Sequence, residues 1–259
     1  MPSLKSHLLG LLTRRPVLYS TALKLKGTLT AELRAFSCLV KADDTVFDIG
    51  ANRGHFTLLF SMLAGRRGQV HAFEPVPPTF QKLSTHLVVE AVYSNTHLVN
   101  AAAADCTGQF PIYMPGDDDG QASLAHHQAG SWRDCRAPAE YQCDALRLDD
   151  YITEQRLARL DFVKCDVEGA ELPALRGAAS ALAKWRPSLY VEVNPDWTSA
   201  FGYSPRDLWD FLTSLGYEHI YHVSINSPYP VLLSEAEFAR LGGYSNLLCV
   251  SPRRYPCAF

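Results

Sequence analysis

No two of the seven cysteines (38, 106, 135, 143, 165, 249 and 257) stand as C-x-x-C, and their number is odd. That pattern argues against a disulfide framework or a zinc site, and a reducing, cytoplasmic setting is expected. No run of 18 apolar residues occurs, so no membrane span is expected. The opening "MPSLKSHLLGLLTRRPVLYS" lacks a small-residue cleavage site and is interrupted by Arg14, Arg15 and Pro16, so it does not read as a secretory leader. Charge of one sign is scarce as well. A net charge of −3 over 259 residues gives no global field to attract nucleic acid or an anionic membrane.

Apolar content is ample: 47% of the residues are hydrophobic, enough for one large domain with an extension. Residues 1–41 hold seven Lys/Arg against one Glu, so the acidic excess lies in the remainder. Leu8, Leu11, Leu12, Leu29, Leu33 and Phe36 recur at helical spacing, with breaks near Pro16 and Gly27. Residues 1–43 therefore read as a helical cap on a domain spanning 44–259. The competing reading is a basic amphipathic element that touches a membrane or partner. Because the positive charges are spread rather than aligned on one face, the cap is preferred.

From residue 44 strands and helices alternate. "TVFDIG" reads as a strand and "HFTLLFSMLAG" as a helix closed by Gly65; "GQVHAFEP" and "PPTFQKLSTHLVVEA" repeat the pair. "THLVNAAAAD" is a third strand, and "GQFPIYMP" and "YQCDALRLDDY" are extra β segments. These flank a polar stretch, 116–140, long enough for a lid or substrate loop. "LDFVKC" is the fourth strand, "ELPALRGAASALAKW" its helix and "PSLYVEVNP" the fifth strand. In "SPRDLWDFLTSLGY", Ser204, Pro205 and Asp207 form a helix start; "HIYHVSI" and "SNLLCVS" close the chain as strands. Such alternation implies an α/β fold, a mainly parallel sheet with helices on both faces.

Chemistry enters at "VFDIGANRGHF". Asp48, Gly50 and Gly54 sit at the first strand–helix junction, where open parallel sheets bind ligands. Position 52 is Asn where G-x-G-x-x-G needs glycine, and no Lys-Ser/Thr follows, so neither the dinucleotide loop nor a P-loop is present. Glu74 ends the second strand, 20 residues beyond Gly54, where a carboxylate can accept hydrogen bonds from a ribose diol. Together these fit a nucleoside that bears a positive group, such as S-adenosylmethionine (SAM).

With "LDFVKCDVEGAELPALRGA" added, the chain resembles the FkbM family of SAM-dependent methyltransferases. The likeness runs through "VFDIGANRGHFT", "AFEPVPPTFQKL", "LVNAAAAD", "LRLDDY", "LYVEV", "LGY" and "NLLCV", over residues 44–250 in order. It implies the class I methyltransferase fold: a Rossmann-like, seven-stranded, mostly parallel sheet whose last strand is antiparallel. It also implies that Asp48, Gly50, Ala51, Asn52, Gly54 and Phe56 line the methionine side of the cofactor. Glu74 and Pro75 would then lie at the ribose, and Asn100 and Ala101 near the adenine. The implied reaction is O-methylation of a hydroxyl on a sugar, glycolipid, polysaccharide or secondary metabolite. Nucleic acid is not an expected partner.

Asp166 ends the fourth strand beside the cofactor, Glu168 and Gly169 form the following turn, and Glu192 ends the fifth strand. Asp166, Glu168 and Glu192 are therefore the candidate catalytic acids, with Lys164 as an orienting or pairing residue. One of the acids can act as base, or together they can hold Mg²⁺. Both options stay open here. Glu171, in the first turn of the next helix, needs no catalytic role. "NPDW" departs from the Asn-Pro-Pro-aromatic motif of nucleic-acid N-methylation, with Asp196 in the second proline's place. His126 and His127 are expected as a surface pair, and His55 and His71 as structural. Two other readings are a SAM-binding module without catalysis and a nucleotide-linked oxidoreductase. The full acid set speaks against the first, and the missing G-x-G-x-x-G against the second.

Overall fold

The strand expected at residues 45–49 is buried at all five positions, as a central parallel strand covered on both faces must be. The computed structural model describes residues 30–89, 94–224, 227 and 229–254. The helical segments expected before residue 30 lie outside them. The elements that position the candidate site are α1 (Ala31–Leu39), β1 (Thr45–Ile49), α2 (His55–Ala64), β2 (Gln69–Phe73), α3 (Pro77–Val89), β3 (Thr96–Val99) and β4 (Ala101–Ala103). They continue with β5 (Gly108–Met114), β6 (Ala139–Leu146), α4 (Leu148–Glu154), β7 (Phe162–Cys165), α5 (Glu171–Arg176), α6 (Ala179–Trp185) and β8 (Ser188–Val193). Then come α7 (Pro195–Thr198), α8 (Pro205–Ser214), β9 (Ile220–Val223), β10 (Val231–Leu232), α9 (Glu235–Phe238) and β11 (Ser245–Cys249).

The main sheet runs β10-β9-β11-β8-β7-β1-β2-β3. β3, β2, β1, β7 and β8 pair in parallel, while β11 is antiparallel to both β8 and β9. This is the class I methyltransferase order with its reversed last strand, extended at one edge by the two-residue β10. The carboxyl ends of β1, β2, β7 and β8 therefore open on one rim, and β1 and β7 lie side by side with Asp48 opposite Lys164.

The third expected strand splits at Asn100. The Asn100 side chain donates to the carbonyls of Glu74 (2.8 Å) and Pro75 (3.2 Å), which ends β3 and sends β4 into a second sheet, β4-β6-β5. The helix expected after the fourth strand is also broken, at Gly177. A Cβ there would meet the carbonyl oxygen of Ala104 at 2.0 Å. The second half, α6, is capped instead by Asp149, whose carboxylate accepts from the amides of Ser180 and Ala181, both at 3.0 Å. The Leu-Asp-Asp-Tyr run thus acts at a distance in sequence, as a helix cap. Ser204 and Asp207 form the expected capping box of α8.

On one face of the sheet, Phe36 of α1 packs edge-on against Phe56, Phe60, Phe162 and Tyr190, with ring centroids 4.9–5.6 Å apart. Aromatic edge-to-face contacts of this kind add about 0.5–1.5 kcal/mol each beyond burial. They fasten α1 beneath the site, where Glu32 accepts from the Tyr190 hydroxyl at 2.7 Å.

Candidate functional site

The turn after β1 hangs from β2. The amides of Gly50 and Ala51 both donate to the Phe73 carbonyl, at 3.0 and 2.9 Å. Gly50 has φ +77°, and a Cβ on it would meet the Asp166 carbonyl oxygen at 1.9 Å, so the ends of β1 and β7 touch only because this residue is glycine. Asn52 is also left-handed, at φ +48°. Its amide donates to Glu74 Oε2 at 2.9 Å, and the Val76 amide donates to Glu74 Oε1 at 2.9 Å. Burial of Glu74 pushes its carboxyl up to about 7 against those two amide hydrogen bonds.

These residues line a cleft of about 450 Å³ with Ala101, Ala102, Ile112, Asp166, Glu168 and Glu192, a size suited to a small-molecule ligand. Of the cofactor residues expected from the sequence, Gly50, Ala51, Asn52, Phe56, Glu74, Pro75 and Ala101 line it. Asp48, Gly54 and Asn100 stand behind its wall. Asp48 is fully buried and accepts from Thr57 Oγ1 at 2.6 Å, Gly54 is pressed against Leu83, and Asn100 ties down the Glu74–Pro75 turn.

At the other end stand the acids. Lys164, 2% exposed, reaches Asp166 Oδ2 at 3.1 Å, Asp48 Oδ1 at 3.8 Å and the Gly50 carbonyl at 3.3 Å. Burial alone would depress its pKa, but Asp166 and Asp48 outweigh burial and raise it, so Lys164 stays a cation. Its contacts pair it with Asp166 and Asp48. Asp166, Glu168 and Glu192 each present one oxygen within 4.8 Å of the others. Glu192 is 5% exposed, and among the described residues its Oε2 has no hydrogen-bond partner. Burial, followed by the charge of Asp166, pushes Glu168 up to about 9 and Glu192 well above the carboxylate range. Among the described residues, one lysine shared with Asp48 leaves this cluster short of positive charge. The site can therefore accept a proton or a cation.

Glu171 has a structural job. It is fully buried, accepts from the amides of Val167 (3.0 Å) and Gly169 (3.1 Å) and from the Tyr203 hydroxyl (3.2 Å), and staples the turn that carries Glu168. His71 is likewise structural, with Nδ1 2.8 Å from the Tyr151 hydroxyl. Asn194 caps α7 through the Asp196 amide, which accounts for the "NPDW" run.

The expectation of a surface histidine pair is corrected for His127. His126 is exposed over Tyr113, but His127 is 6% exposed, wedged between Trp132 and Trp197, with Nε2 near Ser123 Oγ (2.8 Å) and the Glu168 carbonyl (3.1 Å). Asp119, on the same loop, and Tyr244, before β11, line the cleft without having been anticipated. Only the aromatic neighbours in sequence (Trp132, Tyr113) hinted that the polar loop folds inward.

A profile of the methyltransferase FkbM domain matches residues 48–219, which include the glycine turn, Glu74 and the acid cluster. The chain belongs to the FkbM methyltransferase family. Among curated FkbM-like relatives, the AMB antimetabolite synthetase AmbE of Pseudomonas aeruginosa is 30% identical over 68% of this chain, which spans only 10% of that protein. Methyltransferase 1 of Beauveria bassiana is 31% identical over 52% of the chain and 58% of its own length. The chain thus spans less than two thirds of either. The 2-O-methyltransferase NoeI of Sinorhizobium fredii is 28% identical over 65% of this chain and 70% of its own. A crystal structure of methyltransferase FkbM from Methylobacillus flagellatus superposes with a TM-score of 0.51 at 17% identity, covering 95% of this chain and 58% of that one. That likeness concerns the fold. Among the described residues no helix is long and apolar enough to cross a membrane.

Proposed function

We propose that this FkbM-family protein transfers the methyl group of SAM to a hydroxyl of a sugar, glycolipid, polysaccharide or secondary metabolite. The observation that carries the reading is the division of one cleft between a glycine turn with Glu74 at one end and Asp166, Glu168 and Glu192 at the other. The two ends suit the two reactants. Glu74 keeps lone pairs for the ribose hydroxyls, and Gly50, Ala51, Asn52, Phe56, Pro75 and Ala101 enclose the rest of the donor. Relatives named as a 2-O-methyltransferase and a 31-O-demethyl-FK506 methyltransferase support oxygen as the acceptor atom.

In the reaction, the acceptor oxygen attacks the methyl carbon in line, the S–CH₃ bond breaks, and neutral S-adenosylhomocysteine leaves. The hydroxyl proton passes to a carboxylate of the cluster. In its ionised form Glu168, whose carboxyl is pushed up to about 9, is a stronger base than a free carboxylate, so transfer should quicken as pH rises towards 9, and positioned bases of this kind contribute about 10²–10⁴-fold. Holding the two reactants in line can supply several kcal/mol more, up to about 7–11 in the best intramolecular cases. Lys164 holds Asp166 in place.

The same three carboxylates suit a hard divalent cation. Three oxygens on one cation cannot all lie opposite one another: adjacent ligands stand about 3.0 Å apart on Mg²⁺ and about 3.4 Å on Ca²⁺, so oxygens spread over up to 4.8 Å would draw together on binding. Asp166, Glu168 and Glu192 would hold it, and its charge would lower the pKa of a nearby hydroxyl. The test is transfer of labelled methyl from SAM to fractionated lipids and polysaccharides, with and without a chelator. Transfer that Asp166→Asn abolishes is expected. Label that never leaves SAM on any fraction, or transfer equal in the variant, contradicts the reading.

A further inference from the structure

The loop between β5 and β6 touches both ends of the cleft. It folds back on β5 through paired backbone hydrogen bonds of Tyr113 and Ser123, each 2.9 Å. Near its start, the buried Asp119 carboxylate receives both Nε and Nη2 of Arg53 (3.1 Å each) and Lys82 Nζ (2.9 Å), while the Asp119 carbonyl accepts from the Asn52 side chain at 2.9 Å. Asn52 and Arg53 belong to the glycine turn. Paired guanidinium–carboxylate bonds of this geometry fix orientation as well as supply attraction. One end of the loop is thereby anchored on the donor side.

Its other end grips the acid side. Ser123 Oγ donates to the Glu168 carbonyl at 2.8 Å, and His127 Nε2 lies 3.1 Å from the same oxygen. Ser123 is 1% exposed and His127 nearly as buried, with Trp197 packed edge-on 4.1 Å from the imidazole. The carbonyl they hold belongs to a residue at φ +53°, a left-handed conformation that a glutamate adopts only when its surroundings over-determine it. From inside, Glu171 fixes the flanking amides of Val167 and Gly169. From outside, Ser123 and His127 complete the clamp. Nδ1 of His127 is buried without a partner among the described residues, so the ring's hydrogen bonds there run through Nε2.

We propose that His127, with Ser123, is a positioning residue that fixes the Glu168 turn from the loop side, so that the strap 119–127 sets the acid's place relative to the donor turn it is anchored on. The proposal deepens the methyltransferase reading and rests on it for the purpose of the turn, but the clamp can be measured alone. Glu168 lines the cleft and, on that reading, faces the reactants; His127 acts through it.

The experiment uses the full chain and three variants, His127→Ala, His127→Gln and Ser123→Ala. Glutamine can carry an N–H to nearly the position of Nε2. Hydrogen exchange of the Gly169 amide, bonded to Glu171, reports on the turn; SAM affinity is read by calorimetry, and labelled methyl transfer into the most active extract fraction is read at saturating SAM. In His127→Ala, Gly169 exchange at least tenfold faster, SAM affinity within threefold of the parent and transfer at least tenfold slower are expected, with His127→Gln recovering exchange and transfer together. Ser123→Ala carries the same prediction if His127→Ala does not fold. Parent-like Gly169 exchange in the alanine variants overturns the proposal. So does an unrescued loss in which SAM affinity and transfer fall together. If the parent binds no SAM, the functional reading fails and the Gly169 exchange still decides the clamp.

Discussion

Lys164 and Asp166 meet at 3.1 Å at the carboxyl end of β7, and the lysine that makes the contact is 2% exposed. The same ammonium is the only cation within 4 Å of Asp48 among the described residues. Taking one partner from such a buried set leaves an uncompensated charge, which costs about 3–5 kcal/mol. Lys164→Met, close in volume, is therefore expected to lose stability of that size in urea unfolding. A loss under about 1 kcal/mol means that Asp48 is not held as an anion.

Gly50, after β1, and Gly65, after α2, separate space from conformation. Gly50 and Gly65 have similar φ, +77° and +69°, but a Cβ meets the Asp166 carbonyl at 1.9 Å from the first and nothing within 4 Å from the second. Gly65, at φ +69° and ψ −176°, lies in an extended positive-φ region essentially confined to glycine, so Gly65→Ala should cost that backbone strain alone, about 1–3 kcal/mol. Gly50→Ala must also push β1 and β7 apart, and is expected to abolish SAM binding by calorimetry. Equal effects of the two changes contradict the close approach.

Glu74 gives a pH dependence with a definite sign. Its carboxyl is raised to about 7 in the fold, so the protonated form is favoured there and the stability it contributes is full below about 4.5 and lost as pH rises through 7. Ligand binding has the opposite slope, because the ionised form is the better acceptor for ribose hydroxyls. If only that form binds, SAM affinity rises about tenfold between pH 6 and pH 8. Glu74→Gln should bind weakly and without that slope. A parent profile as flat as the variant's removes Glu74 from the site.

The acids divide stability from turnover. Glu192 is buried with its pKa raised above the carboxylate range, so it is largely neutral and Glu192→Gln is expected to keep or improve the melting temperature; a fall in methyl transfer of about 10²–10⁴-fold would make its ionised fraction the base, and unchanged transfer would exclude it. Asp166→Asn should likewise keep SAM affinity and lose transfer. Turnover that survives both changes takes the proton elsewhere.

The alternation of strands and helices could be read because glycines and prolines mark the ends, as at Gly65 and Pro205, and because β1, β7 and β8 are mainly apolar and buried at every position. That Glu74, Asp166 and Glu192 sit at or near strand ends on one rim was legible for the same reason. The breaks at Asn100 and Gly177 were not, since each answers to a distant carbonyl, of Glu74 in one case and Ala104 in the other. His127 was missed because its partner is a backbone oxygen 41 residues away. A pattern of side chains carries no trace of such a contact.

Calorimetric titration of the full chain with SAM, alongside NAD, tests the central claim most directly. A dissociation constant of about 1 μM or tighter for SAM, corresponding to roughly 8 kcal/mol, is expected, with no heat from NAD. No heat at saturating SAM, or a preference for NAD, contradicts the assignment of the glycine turn and Glu74 to an adenosyl sulfonium.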